Sequence, residues 1–83
     1  MSVCFVTFRS ITYAQRGQGV LNKQGISAGF SRTPRWMEEK GCGYSLRVAP
    51  ERITEAVDAL KRSGVPFSKV YCGRLDGAME ELI

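Results

Sequence analysis

Cys42 sits between two glycines in the stretch TPRWMEEKGCGYSLRV, residues Thr33 to Val48, and Arg32, Arg35 and Arg47 lie near it in the chain. A thiol reacts as its thiolate, and nearby positive charge and free backbone N–H groups favour that form. Gly41 and Gly43 let the backbone fold closely around the sulfur and offer N–H groups to an anion, as a nest does. These residue types suit a nucleophilic or sulfur-carrying cysteine. They also suit a plainer turn in which Cys42 is a small side chain and no more. Arg35, beside Pro34, is either a surface arginine or an anion clamp. Trp36 is either a lid over this loop or a plug for the core.

Several other chemistries are excluded. The chain has no histidine, which removes a Ser-His-Asp triad, a Cys-His dyad and any zinc site that uses His. The three cysteines are Cys4, Cys42 and Cys72; no Cys-x-x-Cys occurs, and three thiols cannot all pair within one chain. Cys4 and Cys72 are expected to be reduced and to pack as small hydrophobes within strands, with a redox role for the pair as a lesser reading. Cys42 to Arg47 is one residue short of the phosphatase loop C-x5-R, and Gly-Cys-Gly is no dinucleotide fingerprint. No metal site and no organic cofactor is implied.

The 83 residues form one small domain, 43% hydrophobic and 24% charged, an ordinary soluble composition. No apolar run is long enough for a bilayer. The N-terminal stretch reads as a strand without a charged leader, which points to a cytoplasmic protein. The net charge of +4 is uneven. Up to Arg47 there are seven basic residues and two acidic; from Val48 there are five basic and six acidic. The first half therefore favours an anionic partner. Nucleic acid is disfavoured as that partner, because no RNP-like pattern of glycine and aromatics appears.

The elements that must position Cys42 follow from periodicity and punctuation. Ser2 to Phe8 is apolar on both alternating faces and reads as a central strand. Ser10 is a good N-cap for a helix from Ile11 to about Gln24, with Ala14, Gly17 and Leu21 inward and Gly25 after its end. Ile26 to Arg32 is a second strand, weakened by Gly29. Arg35 to Lys40 reads as one short helical turn. Tyr44 to Val48 alternates as a third strand, with Tyr44, Leu46 and Val48 on one face and Ser45 and Arg47 on the other. Pro50 opens a second helix whose Ile53, Ala56, Val57 and Leu60 make one apolar stripe. Phe67 to Cys72 is the last strand. The core spans about 2–73, and the tail 74–83 reads at most as a helical turn through Ala78, Met79 and Leu82.

This order predicts a ferredoxin-like βαββαβ plait of the α+β class, a four-stranded antiparallel sheet with two helices on one face. The uncovered face, with Phe5 and Phe67, would suit a homodimer. The topology gathers Phe8, Arg9, Ser10, Arg32, Arg35 and Cys42 on one rim, beside the positive N-terminus of the first helix. Arg9, Ser10, Arg35, Gly41 and Gly43 are the candidate anion-binding set, and Arg47 is a possible accessory or simply an outward strand residue.

With the segments VTFRSITYA (Val6 to Ala14), TPR (Thr33 to Arg35) and GCGYSLRV (Gly41 to Val48), the sequence resembles a family of small bacterial domains. It is the DUF3343 family, described as putative selenium/sulfur carrier protein-like, and the likeness runs from about Val3 to Tyr71. Its Phe-x-Ser/Thr motif falls on Phe8, Ser10 and Thr12, its Pro-Arg on Pro34 and Arg35, and its Cys-Gly on Cys42 and Gly43. The intervening WMEEKG departs from the usual apolar-Ser stretch, so Trp36 and Glu38 take no role from it. The resemblance implies a persulfide or perselenide held on Cys42, received from a donor protein and passed to an acceptor protein. That is a carrier or accessory protein more than a stand-alone enzyme. The other reading stays open: a non-catalytic module whose basic rim binds an anion or a partner, with Cys42 incidental.

Overall fold

The computed structural model of the protein describes residues 2–32, 43–74 and 79–82. The chain runs β1 (Ser2–Phe8), α1 (Ile11–Lys23), β2 (Ala28–Arg32), β3 (Tyr44–Val48), a 3-10 turn (Pro50–Arg52), α2 (Ile53–Arg62), β4 (Val70–Arg74) and β5 (Met79–Glu81). The sheet order is β2-β3-β1-β4-β5, with every neighbouring pair antiparallel. The first four strands and two helices are the expected ferredoxin-like plait, of the α+β class. β1 is central, as its two apolar faces require.

One side of the sheet carries both helices. Val6, Phe8, Leu46, Val48 and Val70 pack there against Ala14 and Leu21 of α1 and Ala56, Ala59 and Leu60 of α2. The predicted inward face of α1 is the buried one; of the predicted α2 stripe Ala56 and Leu60 are buried, Ile53 and Val57 are half-buried, and Ala59 is buried in addition. α1 comes closest to the sheet at Gly17, where an added Cβ would lie 3.0 Å from Phe8 Cζ. Gly25 and Gly64 follow the two helices with φ of 74° and 69°, the left-handed geometry that ends a helix at little cost only for glycine.

On the other side Val3 and Phe5 pack with Tyr71, and they are only 7% and 6% exposed. Phe67 packs against the helix-side core instead. The apolar patch that suggested a homodimer through this face is therefore not exposed at Phe5 or Phe67. Next to it runs a row of hydroxyls, Ser31, Ser45 and Thr7, in register across three strands. Ser45 is fully buried and bonds Ser31 at 3.2 Å, so the burial of this polar group is compensated.

Four expectations change at the chain's ends and edges. β2 begins at Ala28; Ile26 is buried in the connection before it. β4 begins at Val70, because Ser68 and Lys69 bond to Thr7 from outside the strand. The tail supplies a fifth strand, with Tyr71 opposite Glu81 and Gly73 opposite Met79, where a helical turn was expected. Cys4 and Cys72 form a disulfide, which overturns the expectation of reduced thiols. The cause is register: the two residues face each other across the β1–β4 ladder with Cα atoms 4.1 Å apart. The expected turn at Arg35 to Lys40 lies outside the described residues. Among those described, no helix is long and apolar enough to cross a membrane.

Candidate functional site

The rim is built by three strand ends in register. Phe8, Tyr44 and Arg32 stand side by side at the ends of β1, β3 and β2. Arg9 and Ser10 continue from Phe8, and Gly43 immediately precedes Tyr44. Arg9 and Arg32 are exposed, while Ser10 and Gly43 are half-buried. The Tyr44 ring lies against Phe30, with centroids 5.9 Å apart and planes tilted by 43°. The rim therefore has two exposed guanidinium-bearing residues on a frame of packed aromatics.

Ser10 is the N-cap of α1. Its backbone is extended, at φ −135° and ψ 153°, and its Oγ accepts the Tyr13 N–H at 3.2 Å. The Ser10 carbonyl accepts the Ala14 N–H at 3.1 Å. The N–H groups of Ile11 and Thr12, at the first two helical positions, have no carbonyl of the helix to bond. The first turn contains no acidic residue, so nothing on the helix itself neutralises its positive end. Thr12 lies exposed in that turn. The helix start therefore offers two N–H groups that no carbonyl of the helix takes, next to Arg9 and Ser10 in the chain.

Of the residues singled out in the sequence, the structure thus brings Arg9, Ser10, Thr12 and Gly43 to one end of the sheet. It does not bring Arg47 there. Arg47 is three residues further along β3, roughly 10 Å away, opposite Phe5 on β1 and Gly29 on β2. Its guanidinium lies over Gly29, where an added Cβ would be 3.3 Å from one of its nitrogens. That contact explains a glycine within a strand better than weakness of the strand does. Arg35, Trp36, Gly41 and Cys42 lie outside the described residues.

Two features differ from the main expectation, and the first of them, the Cys4–Cys72 disulfide, answers to its lesser alternative of a redox role for that pair. The disulfide was legible in principle, because antiparallel neighbours with a cysteine in each need only a register to meet. The second is an apolar groove of about 280 Å³ between α2 and the β4–β5 edge, lined by Ile53, Val57, Val70 and Leu82, with Asp58 and Lys61 also lining it. It depends on β5, which no pattern announced. Among the described residues, no group of three His, Cys, Asp or Glu could hold a metal ion.

The fold defines a small ferredoxin-like domain that carries Arg9, Ser10, Thr12, Arg32 and Gly43 at one end of its sheet. The sequence profile of the family described as "Putative Se/S carrier protein-like" matches residues 3–72, and the chain belongs to that family. No curated protein and no solved structure matches it.

Proposed function

We propose that the protein is a carrier that holds sulfur or selenium on Cys42 as a persulfide or perselenide. The observation that carries the reading is the fate of the other two cysteines. Of the three in the sequence, Cys4 and Cys72 are bonded to each other, so Cys42 is the cysteine outside that bond. It is also the residue on which the family's Cys-Gly pair falls. In loading, the Cys42 thiolate attacks the outer sulfur of a donor's persulfide; the donor's S–S bond breaks, the donor leaves as a thiolate and Cys42 keeps the outer sulfur. Delivery to an acceptor thiolate is the same step with Cys42 as leaving group. Arg9, Ser10 and the open start of α1 supply positive potential for the terminal anion, and Arg35, Gly41 and Gly43 complete the proposed cradle.

The test is the pH dependence of alkylation of Cys42 with the disulfide left intact, read by intact mass. A midpoint clearly below the ordinary thiol value of about 8.5, followed by gain of one sulfur atom from a persulfide donor, is expected. A normal or raised midpoint with slow labelling would sink the carrier reading. A second reading would then stand, because one observation favours it independently: the start of α1 has no acidic residue in its first turn and follows directly on Arg9, and it needs no cysteine to bind an anion or an acidic segment of a partner. In that case Cys42→Ser keeps full binding.

A further inference from the structure

We propose that the Cys4–Cys72 pair is a thiol–disulfide exchange site, separate from Cys42, at which an incoming low-molecular-weight thiol attacks the sulfur of Cys72. The first support is asymmetry. Cys4 is completely buried at the centre of the sheet, whereas Cys72 is partly exposed on β4, packed against the edge of the helix-side core. Exchange requires a thiolate to reach one sulfur of the bond, and between these two Cys72 is the one with surface.

The second support is redundancy. β1 and β4 are paired from Ser2 opposite Arg74 to Val6 opposite Val70, on both sides of the disulfide. β1 is held on its other edge by β3, and β4 by β5. Opening the bond leaves both strands where they are. Two thiols then remain facing each other at a position where cysteine packs well as a small hydrophobe. A bond that the fold does not need for strand pairing can open and close within the folded molecule.

The step balances as follows. The incoming thiolate bonds to the Cys72 sulfur, the Cys4–Cys72 bond breaks, and Cys4 leaves with the electron pair and takes the proton that the incoming thiol gave up. A second thiolate attacks the small-molecule sulfur of the mixed disulfide and frees Cys72. In sum, two small thiols are oxidised to their disulfide and the protein gains two Cys–SH groups. The reverse sequence, driven by the small disulfide, restores the bridge. One sulfur of the bond is buried and the other only partly exposed, so the exchange is slow beside that of an exposed pair.

The proposal does not rest on the carrier reading, and its experiment is made independent of it by using Cys42→Ser protein. That protein is incubated with reduced and oxidised glutathione in native buffer, acid-quenched and mapped by peptide mass, with far-UV circular dichroism recorded in parallel. The expected result is a mixed disulfide on Cys72 exceeding that on Cys4 by about tenfold or more, with an unchanged spectrum. Adding Cys4→Ser should make the Cys72 adduct accumulate, while Cys72→Ser should leave Cys4 unlabelled in the folded protein. Reduction that needs denaturant, or adducts spread equally over the two cysteines, would overturn the proposal and leave a structural bridge.

Discussion

A single hydrogen at Gly17 sets how closely α1 lies on the sheet. A Cβ there would meet Phe8 Cζ at 3.0 Å, Leu60 Cδ2 at 3.2 Å and Leu46 Cδ1 at 3.3 Å. These belong to β1, α2 and β3, so no one side chain can make room by itself. Alanine gains about 1 kcal/mol of helix propensity over glycine, but overpacking a dense core costs about 1–3 kcal/mol. The second effect should win, and Gly17→Ala should lower stability by roughly 1 kcal/mol net. Gly19, two residues on, has nothing within 4 Å of its added Cβ. Gly19→Ala should therefore keep the propensity gain of up to about 1 kcal/mol. Urea unfolding of the two variants beside the parent checks both signs; a stabilised Gly17→Ala would mean that α1 can move off the sheet. Gly17 was legible in the sequence because a glycine on an otherwise apolar helical face asks for a close neighbour. The neighbour's identity was not, since it depends on how three elements meet.

At the scale of elements, α1 joins stability to the candidate site through its cap. Ser10 is the expected N-cap, and its Oγ bond to the Tyr13 N–H is present at 3.2 Å. Ser10→Ala should cost about 1 kcal/mol, seen as a lower urea midpoint. If the hydroxyl also steadies an anion at the rim, the same variant should slow alkylation of Cys42 by iodoacetate, an anionic reagent, more than by neutral iodoacetamide. Equal slowing would restrict Ser10 to capping. The capped helix, the central β1 and the apolar stripe of α2 could be read directly, because each has a period and punctuation of its own. The ends of β4 and the existence of β5 could not. Phe67 looks like a strand residue, yet it packs into the helix-side core, and Ser68 and Lys69 bond to Thr7 across a gap in the ladder. Met79–Glu81 has two glutamates and weak strand propensity; it becomes a strand because β4 offers it an unpaired edge. The rim was legible for the same reason as the plait: strand order alone puts the ends of β1 and β2 beside the start of β3. Arg47 is three residues along β3 from Tyr44 and lies beside Gly29, because closeness in sequence to the rim runs along the strand.

The whole molecule is tied by a bond between residue 4 and residue 72, a separation of 68 in a chain of 83 residues. The bridge adds little to the native ladder, since β1 and β4 already pair around it. Its effect falls on the unfolded chain, which it closes into a large loop. In the chain-entropy account such a loop is worth about 4 kcal/mol, a large share of the roughly 5–15 kcal/mol that a domain usually has. The reduced protein should therefore stay folded, with an unchanged far-UV spectrum, but melt earlier. For a domain of this size, about 4 kcal/mol corresponds to a fall in Tm of roughly 15–30 °C. Thermal melts with and without a phosphine reductant, on Cys42→Ser protein so that no third thiol intervenes, measure the difference. Identical melts would mean that the bridge does not form in solution. Loss of the native spectrum on reduction at room temperature would mean that the sheet cannot hold β1 against β4 without it, and exchange within the folded state would then be impossible. A lower Tm with a native spectrum is the outcome that lets this small domain keep a reversible cystine in its sheet, apart from the cysteine proposed to carry sulfur or selenium.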